Sequence, residues 1–85
     1  MFQVFISDDA GEFVRSLPKD AREKMKDIFR ALQFYPQTKH LRMKKLTGQE
    51  VFRIRVGRYR ILCEIDGKMC RIDINAINDR KDVYR

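Results

Sequence analysis

Apolar and polar positions along the chain follow two different periods, one in each half. Residues 1–6 alternate weakly and are rich in Phe, Val and Ile, which predicts a short strand. Ser7 is placed to cap a following helix, and Asp8 and Asp9 fall in its first turn, where the helix dipole favours acids. The chain is therefore expected to open with a strand that leads directly into a helix.

Two helices are predicted between Ser7 and Tyr35, because apolar residues recur there at helical spacing. Pro18 suits the first turn of the second helix, and Tyr35-Pro36 ends it. The apolar positions of the second helix form one stripe, which we expect to pack on a sheet. The apolar positions at helical spacing are Ala10, Phe13, Val14 and Leu17 in the first helix. In the second helix they are Ala21, Met25, Ile28, Phe29 and Leu32.

From Leu46 onwards the period changes to two, as in β-strands. Gly57-Arg58 and Asp66-Gly67 are two-residue hairpin signals. Three strands are predicted, at Val51–Val56, Tyr59–Ile65 and Met69–Ile77. The resulting fold class is α+β: a short N-terminal strand and two helices packed on one face of an antiparallel β-meander, in a single domain that spans residues 1–85.

Two-residue loops fix which residues of the meander face each other. Ile54 is expected opposite Ile61 in the first hairpin, and Ile61 opposite Ile72 in the second. One face of the sheet is then apolar and must lie under the helices. That face comprises Phe52, Ile54, Val56, Tyr59, Ile61, Cys63, Ile65, Cys70, Ile72 and Ile74.

The other face of the predicted sheet receives Arg53, Arg55, Arg60, Leu62, Arg71, Asp73 and Asn75. Arg55 falls directly opposite Arg60, and like charges in such a pair are destabilising. Arginines on an exposed face can also serve only to solvate it and protect its edges. The unfavourable pairing favours a ligand instead, because planar guanidinium groups bind phosphate oxygens in a bidentate manner.

The net charge of +7 is confined to one stretch of the chain. Residues 39–60 contain eight of the 19 Lys and Arg residues but only one acid, Glu50, whereas the rest of the chain has eleven of each sign. A block of one sign indicates a polyanionic partner, with nucleic acid first, an acidic protein second and a membrane surface a distant third.

Other kinds of site are disfavoured by the composition. Two cysteines, Cys63 and Cys70, and one histidine, His40, form neither a disulfide framework nor a set of metal ligands, so no metal or cofactor is expected. No apolar run is long enough to span a membrane, and residues 1–5 do not resemble a signal peptide. A cytoplasmic protein with free thiols is the expectation.

Three segments of the second half carry sequence motifs. They are Lys45-Leu46-Thr47-Gly48, the hairpin sequence from Val51 to Leu62, and Asp79-Arg80-Lys81-Asp82-Val83-Tyr84-Arg85. Together they resemble the RelE/ParE superfamily of toxins, whose pattern is a Lys-x-Leu-x-Gly turn, an aromatic-Arg-Ile-Arg-hydrophobic-Gly-x-Tyr-Arg hairpin and a closing Arg-x-x-Val-Tyr. The match covers about half of the chain closely, and the β-α-α-β-β-β order extends it to nearly all of it.

The resemblance implies a ribosome-dependent endoribonuclease. RelE-type members cut messenger RNA in the ribosomal A site, where the 2′-hydroxyl attacks the adjacent phosphate and leaves a cyclic phosphate. By this resemblance Arg60 contacts the scissile phosphate, Arg80 binds a second phosphate, and Tyr84 orients or deprotonates the attacking hydroxyl. The expected phosphate-binding residues are Arg53 and Arg55, which stand where the best-studied RelE pattern has lysines, together with Lys44, Lys45 and Arg58.

Two other functions remain open on the same sequence. One is a ParE-like, non-enzymatic inhibitor of DNA gyrase, and the other is a basic binding module without toxicity. The presence of Arg60, Arg80 and Tyr84 together favours the nuclease, because a gyrase inhibitor has no phosphodiester chemistry to perform. Any toxin implies a cognate antitoxin, which we expect to be an acidic, amphipathic segment that neutralises residues 39–60. The ribosome and mRNA are the other expected partners, and no membrane is expected among them.

Overall fold

The computed structural model describes residues 1–46 and 50–79. Within these residues two helices pack on a five-stranded sheet with the strand order β1-β5-β4-β3-β2. β1 is parallel to β5, and the other neighbouring strands are antiparallel. The elements are β1 (Gln3–Ile6), α1 (Asp8–Arg15), α2 (Lys19–Leu32), β2 (Arg42–Lys45), β3 (Val51–Val56), β4 (Tyr59–Asp66) and β5 (Arg71–Asp79). The predicted α+β class is confirmed, with β2 as an additional strand that was not predicted.

Ser7 starts α1 as the sequence predicts. Its hydroxyl oxygen accepts a hydrogen bond from the backbone N–H of Ala10 at 3.1 Å, which satisfies one of the donors that a helix leaves open at its first turn. The same hydroxyl donates to the backbone carbonyl of Asn75 at 3.0 Å. One side chain thus caps the helix and ties it to β5.

The core lies between the two helices and one face of the sheet. Met25 and Leu32 of α2 are completely buried, as are Ile54, Ile61 and Ile72 from the three central strands of the sheet. Removing so much apolar surface from water is the main stabilising contribution in a domain of this size. The predicted stripe of α2 is confirmed, because its remaining members are buried or pack against this core.

The first hairpin has the predicted register. Val56 lies opposite Tyr59, Ile54 opposite Ile61, and Arg55 opposite Arg60. The two-residue turn places Gly57 at a φ of +58°, a left-handed conformation that residues with a Cβ adopt at a cost. The turn therefore fixes the alternation that brings both arginines to the face away from the helices.

The second hairpin differs from its prediction. Its loop contains four residues, 67–70, because the Asp66 carboxylate accepts hydrogen bonds from the backbone N–H groups of Lys68 at 3.0 Å and Met69 at 3.1 Å. The loop closes through Cys70 in a left-handed conformation with a φ of 50°. Cys70 is consequently exposed, so its predicted place on the apolar face, opposite Cys63, is wrong.

A bulge in β5 changes the pairing further along this hairpin. Cys63 lies opposite Ile74, whereas Leu62 lies opposite Ala76, so Asn75 is an extra residue on β5. The predicted pairing of Ile61 with Ile72 is wrong, because the longer loop shifts the register by four residues and the bulge by one more, so that Ile61 lies opposite Ile77. Strict alternation from Ile74 would have turned Ile77 outwards, but the bulge turns it into the core.

Candidate nucleic-acid interface

The face of the sheet away from the helices carries a cluster of basic side chains at one corner. Strand register places Arg42 opposite Arg55 and Arg55 opposite Arg60, so three arginines form one row across β2, β3 and β4. Lys44 lies opposite Arg53 in the adjacent row. We call these five residues the basic corner.

Four members of the basic corner lack acidic neighbours. The side chains of Arg42, Lys44, Arg53 and Arg55 form no hydrogen bond or ion pair with any residue in the ranges 1–46 and 50–79. The Nε atom of Arg53 is buried and has no acceptor in that part of the chain. Like charges at cross-strand distance and a buried donor without an acceptor both destabilise the folded protein. An anionic ligand would reverse the first effect.

The opposite end of the same face is acidic. Glu64 and Asp73 lie opposite each other on β4 and β5, and Asp66 lies one step beyond, opposite Arg71. The Arg71 guanidinium donates hydrogen bonds to Asp73, with Nε 3.0 Å from Oδ2 and Nη2 3.0 Å from Oδ1, and its Cζ atom lies 4.1 Å from the ring centroid of Phe5. The hydrogen bond to Asp73 raises the pKa of Arg71 above its usual value. This arginine is therefore neutralised within the protein, unlike those of the basic corner.

No protein-family model matches the sequence, and no curated protein matches it. Several solved structures are similar to this chain. The archaeal RelE-RelB complex from Pyrococcus horikoshii OT3 contains a chain that is 24% identical, with a TM-score of 0.78, over 93% of this chain and 94% of that one. The corresponding values for the RelB-RelE antitoxin-toxin complex from Methanococcus jannaschii are 27% identity, a TM-score of 0.78 and 94% of both chains. The intact E. coli RelBE toxin-antitoxin complex gives 16% identity and a TM-score of 0.75 over 93% of this chain and 96% of that one.

This chain has the RelE toxin fold. The resemblance inferred from the sequence motifs is thereby confirmed for the fold. The backbone of this chain is similar to these structures although its sequence identity to them is low. A similar backbone places side chains at comparable positions on the sheet. What the site can do chemically depends on which residues occupy those positions in this chain.

The RelE-like fold brings together four of the predicted site residues: Lys44, Arg53, Arg55 and Arg60. It separates Lys45, which lies opposite Phe52 on the other side of the sheet, with its Nζ atom 3.4 Å from a carboxylate oxygen of Glu50. It also separates Arg58, which occupies the hairpin turn. Arg80 and Tyr84 lie outside the described residues.

Arg58 contacts both Asp79 and Tyr59 at the hairpin. Its Nη2 atom lies 2.8 Å from Oδ2 of Asp79, and its guanidinium carbon lies 5.8 Å from the ring centroid of Tyr59. The Asp79 side chain is 20% exposed, so this ion pair is less screened by water than the other ion pairs of the described chain. A phosphate bound by Arg58 would have to compete with that carboxylate.

Arg42 is not among the residues that the sequence predicts for the site, because the basic segment around it resembles a loop. Leu41 to Lys44 alternates between apolar and basic residues, which is a short strand signal. Met43 and Leu41 do pack against the core, and Arg42 and Lys44 are exposed. Four residues are too few for the pattern to stand out from a basic loop, and pairing with β3 makes the segment a strand.

The basic corner consists of arginine and lysine side chains and contains no histidine, cysteine or carboxylate. His40 is exposed in the turn before β2, as expected for a loop histidine. Cys63 is buried beneath the sheet, where burial raises the pKa of its thiol to about 11. Among the residues that the structure describes, no cluster of three His, Cys, Asp or Glu side chains is suited to a metal ion. The same residues include no helix that is long and apolar enough to cross a membrane. The corner itself therefore offers fixed positive charge and hydrogen-bond donors.

Proposed function

We propose that this chain is the toxin of a type II toxin–antitoxin system and cleaves mRNA in the ribosomal A site, in the cytoplasm. The observation that carries the proposal is the basic corner. Five cationic side chains converge on one part of a RelE-like sheet, and four of them have no acidic partner in the described chain. Guanidinium groups in that arrangement suit the phosphates of a single RNA strand.

The chemistry that fits this site is a transfer within the RNA strand. The 2′-oxygen of one nucleotide forms a bond to the adjacent phosphorus, and the bond from phosphorus to the 5′-oxygen of the next nucleotide breaks. The hydroxyl proton passes to a base, and the departing oxygen takes up a proton. We assign to Arg60 the role of binding the phosphate and stabilising the negative charge that its oxygens gain in the transition state.

The arginines of the basic corner cannot transfer the proton. An arginine does not lose its proton at any physiological pH, so Arg53 and Arg55 act as fixed charges, whereas the lysines of the best-studied RelE pattern can titrate. We assign the proton transfer to Tyr84, assisted by the ribosomal RNA. Most of the rate enhancement then comes from positioning and electrostatic stabilisation, and cleavage without the ribosome should be slow.

The proposed regulatory partner is an antitoxin with an acidic, amphipathic segment. The proposal is supported by two observations: the three solved structures are complexes of RelE with RelB, and four of the five members of the basic corner, Arg42, Lys44, Arg53 and Arg55, lack acidic partners within the described chain. Coulombic attraction between exposed groups is screened by salt, so high salt should weaken this association and leave a hydrophobic remainder. An association that salt does not affect would contradict an antitoxin that covers the basic corner.

The test is to express the chain from a tightly repressed promoter and map the 5′ ends of ribosome-associated mRNA. Arg60→Ala and Tyr84→Phe are compared with the unaltered chain. Arg15→Ala is the matched control, because Arg15 is an exposed arginine at the end of α1, on the helix side of the sheet. Cleavage at A-site codons that persists in Arg15→Ala and disappears in Arg60→Ala is the expected result.

Two outcomes would contradict the proposal in different ways. Growth arrest with intact mRNA would favour the ParE-like inhibition of DNA gyrase, which a supercoiling assay on a reporter plasmid would then measure. Full toxicity and unchanged cleavage in Arg60→Ala would show that the basic corner is not the site of the chemistry.

A further inference from the structure

On the sheet face away from the helices, the charge changes from positive to negative along β4. It stays positive along the row that crosses β2, β3 and β4. Along β4, the side chains on this face run from Arg60 through Leu62 to Glu64 and Asp66. The phosphates of an RNA strand that followed β4 would pass from Arg60 over the apolar Leu62 and then over the carboxylates of Glu64 and Asp66. That direction is electrostatically unfavourable for a phosphate backbone.

The neighbouring strand β5 also offers no cationic path. Asn78 lies opposite Arg60, Ala76 lies opposite Leu62, and Asp73 lies opposite Glu64. The only arginine on this strand within the described residues, Arg71, donates hydrogen bonds to Asp73. Among residues 1–46 and 50–79, the row of positive charge on this face therefore ends at the boundary between β4 and β5.

Across the strands in the other direction, positive charge continues to the edge of the sheet. From Arg60 the row passes through Arg55 on β3 and reaches Arg42 on β2. Adjacent strands are about 4.8 Å apart, so the backbones of Arg42 and Arg60 are separated by roughly 10 Å. That separation is longer than one phosphate group, and the row can therefore contact more than one phosphate.

Arg42 has no structural partner that explains its place in this row. It is exposed, forms no ion pair with the described residues, and lies directly opposite another arginine. Charged residues protect edge strands against pairing with other chains, and β2 is an edge strand. Lys44 and Lys45 on the same four-residue strand already supply that protection.

We infer that the substrate RNA crosses the sheet perpendicular to its strands, along the row Arg60–Arg55–Arg42, and leaves over the edge strand β2. Arg42 binds a phosphate beyond the one that is cleaved. This inference rests on the proposed function, since it adds a binding residue and a direction to the same site. Arg42 acts on binding and has no part in the chemical step.

The test separates binding from cleavage. Binding is measured by fluorescence anisotropy with a short single-stranded 2′-O-methyl RNA, which cannot be cleaved because the attacking hydroxyl is blocked. Arg42→Ala and Arg42→Gln are compared with Arg15→Ala, which removes the same charge from the helix side of the molecule. Circular dichroism confirms that each variant is folded. Ribosome-dependent cleavage is then measured at several ribosome–mRNA concentrations.

We expect both Arg42 variants to bind the RNA roughly tenfold more weakly than Arg15→Ala at low salt, as for the loss of one charged hydrogen-bonding group. The slope of log K against log salt concentration should become shallower by about 0.7, the value for one phosphate contact with a single strand. In the cleavage assay KM should rise while kcat stays unchanged.

Equal binding by the Arg42 and Arg15 variants would overturn this inference. If the unaltered chain nevertheless cleaves mRNA on the ribosome, the proposed function stands and only the path across β2 is wrong. If RNA binding depends on Arg42 but mRNA on the ribosome is not cleaved, the RNA path across β2 is supported and the nuclease proposal fails. A fall in kcat with unchanged KM would also contradict a role for Arg42 in binding alone.

Discussion

Replacing Arg55 with glutamate should stabilise the fold while it weakens RNA binding. Arg55 lies directly opposite Arg42 on one side and Arg60 on the other, so it takes part in two like-charge pairs. The Arg55→Glu change converts both into pairs of opposite charge. The stability of the folded domain and the proposed function therefore make opposing demands on this one position.

The magnitude follows from the two cross-strand pairs. Each such pair contributes roughly 0.2–1 kcal/mol, with the sign set by the charges. These side chains are partly or fully exposed, so water screens the interactions and the lower half of that range applies. Reversing both pairs, less the weaker strand propensity of glutamate, should raise the free energy of unfolding by about 1 kcal/mol. For a domain of this length, Tm should rise by roughly 4–8 °C.

The assay is thermal and urea unfolding at low and at high salt. The gain should be largest at low salt and should shrink toward 1 M salt, where the screening length falls to about 3 Å. Arg71→Glu is the matched control, because it makes the same substitution on the same sheet face. Arg71 is hydrogen-bonded to Asp73 and lies opposite Asp66, so its reversal should destabilise the protein.

Two results would refute this reasoning. A lower Tm for Arg55→Glu at low salt would mean that the arginine row is stabilised by contacts that the register does not suggest. A higher Tm that is insensitive to salt would mean that the gain arises from something other than charge. In the RNA-binding assay the same variant should bind more weakly than Arg15→Ala.

Four further predictions concern the scaffold. Ser7→Ala should lower the free energy of unfolding by about 1–2 kcal/mol, measured by urea unfolding, because the N-cap bond to Ala10 and the bond to β5 are both lost. Cys70→Gly should raise it by up to about 1 kcal/mol, because Cys70 adopts a left-handed backbone that glycine adopts without strain. A thiol reagent should modify Cys70 quickly and Cys63 only on unfolding. Because burial raises the pKa of Cys63 to about 11, the folded state holds that proton more tightly than the unfolded state. Stability should accordingly fall as the pH rises from about 8.5 toward 11, and Cys63→Ala should make the fall shallower. Fast labelling of both thiols, or an unchanged pH dependence in Cys63→Ala, would contradict the buried position of that thiol.

Local patterns in the sequence were sufficient for the helices and the first hairpin. Ser7 caps α1 through a contact between residues three apart, and the stripe of α2 follows from helical spacing alone. Gly57 sets a two-residue turn, and an alternation of two then fixes the pairing of Arg55 with Arg60 without reference to any distant residue. The central part of the basic corner was therefore predictable from short-range geometry.

Local side-chain contacts and tertiary structure together decided the second hairpin and the β2 edge of the sheet. The Asp66 side chain lengthened a loop that the Asp-Gly signal predicted to be short, and the bulge at Asn75 shifted every later pair in β5. The segment that forms β2 becomes a strand only because β3 offers it hydrogen-bond partners, which places Arg42 beside Arg55. Residue types and local turns thus determined which charges this protein carries and where its first hairpin folds. Pairing between segments distant in sequence decided which of those charges meet, because hydrogen bonds between strands and burial against the helices select one register among several that the local pattern allows.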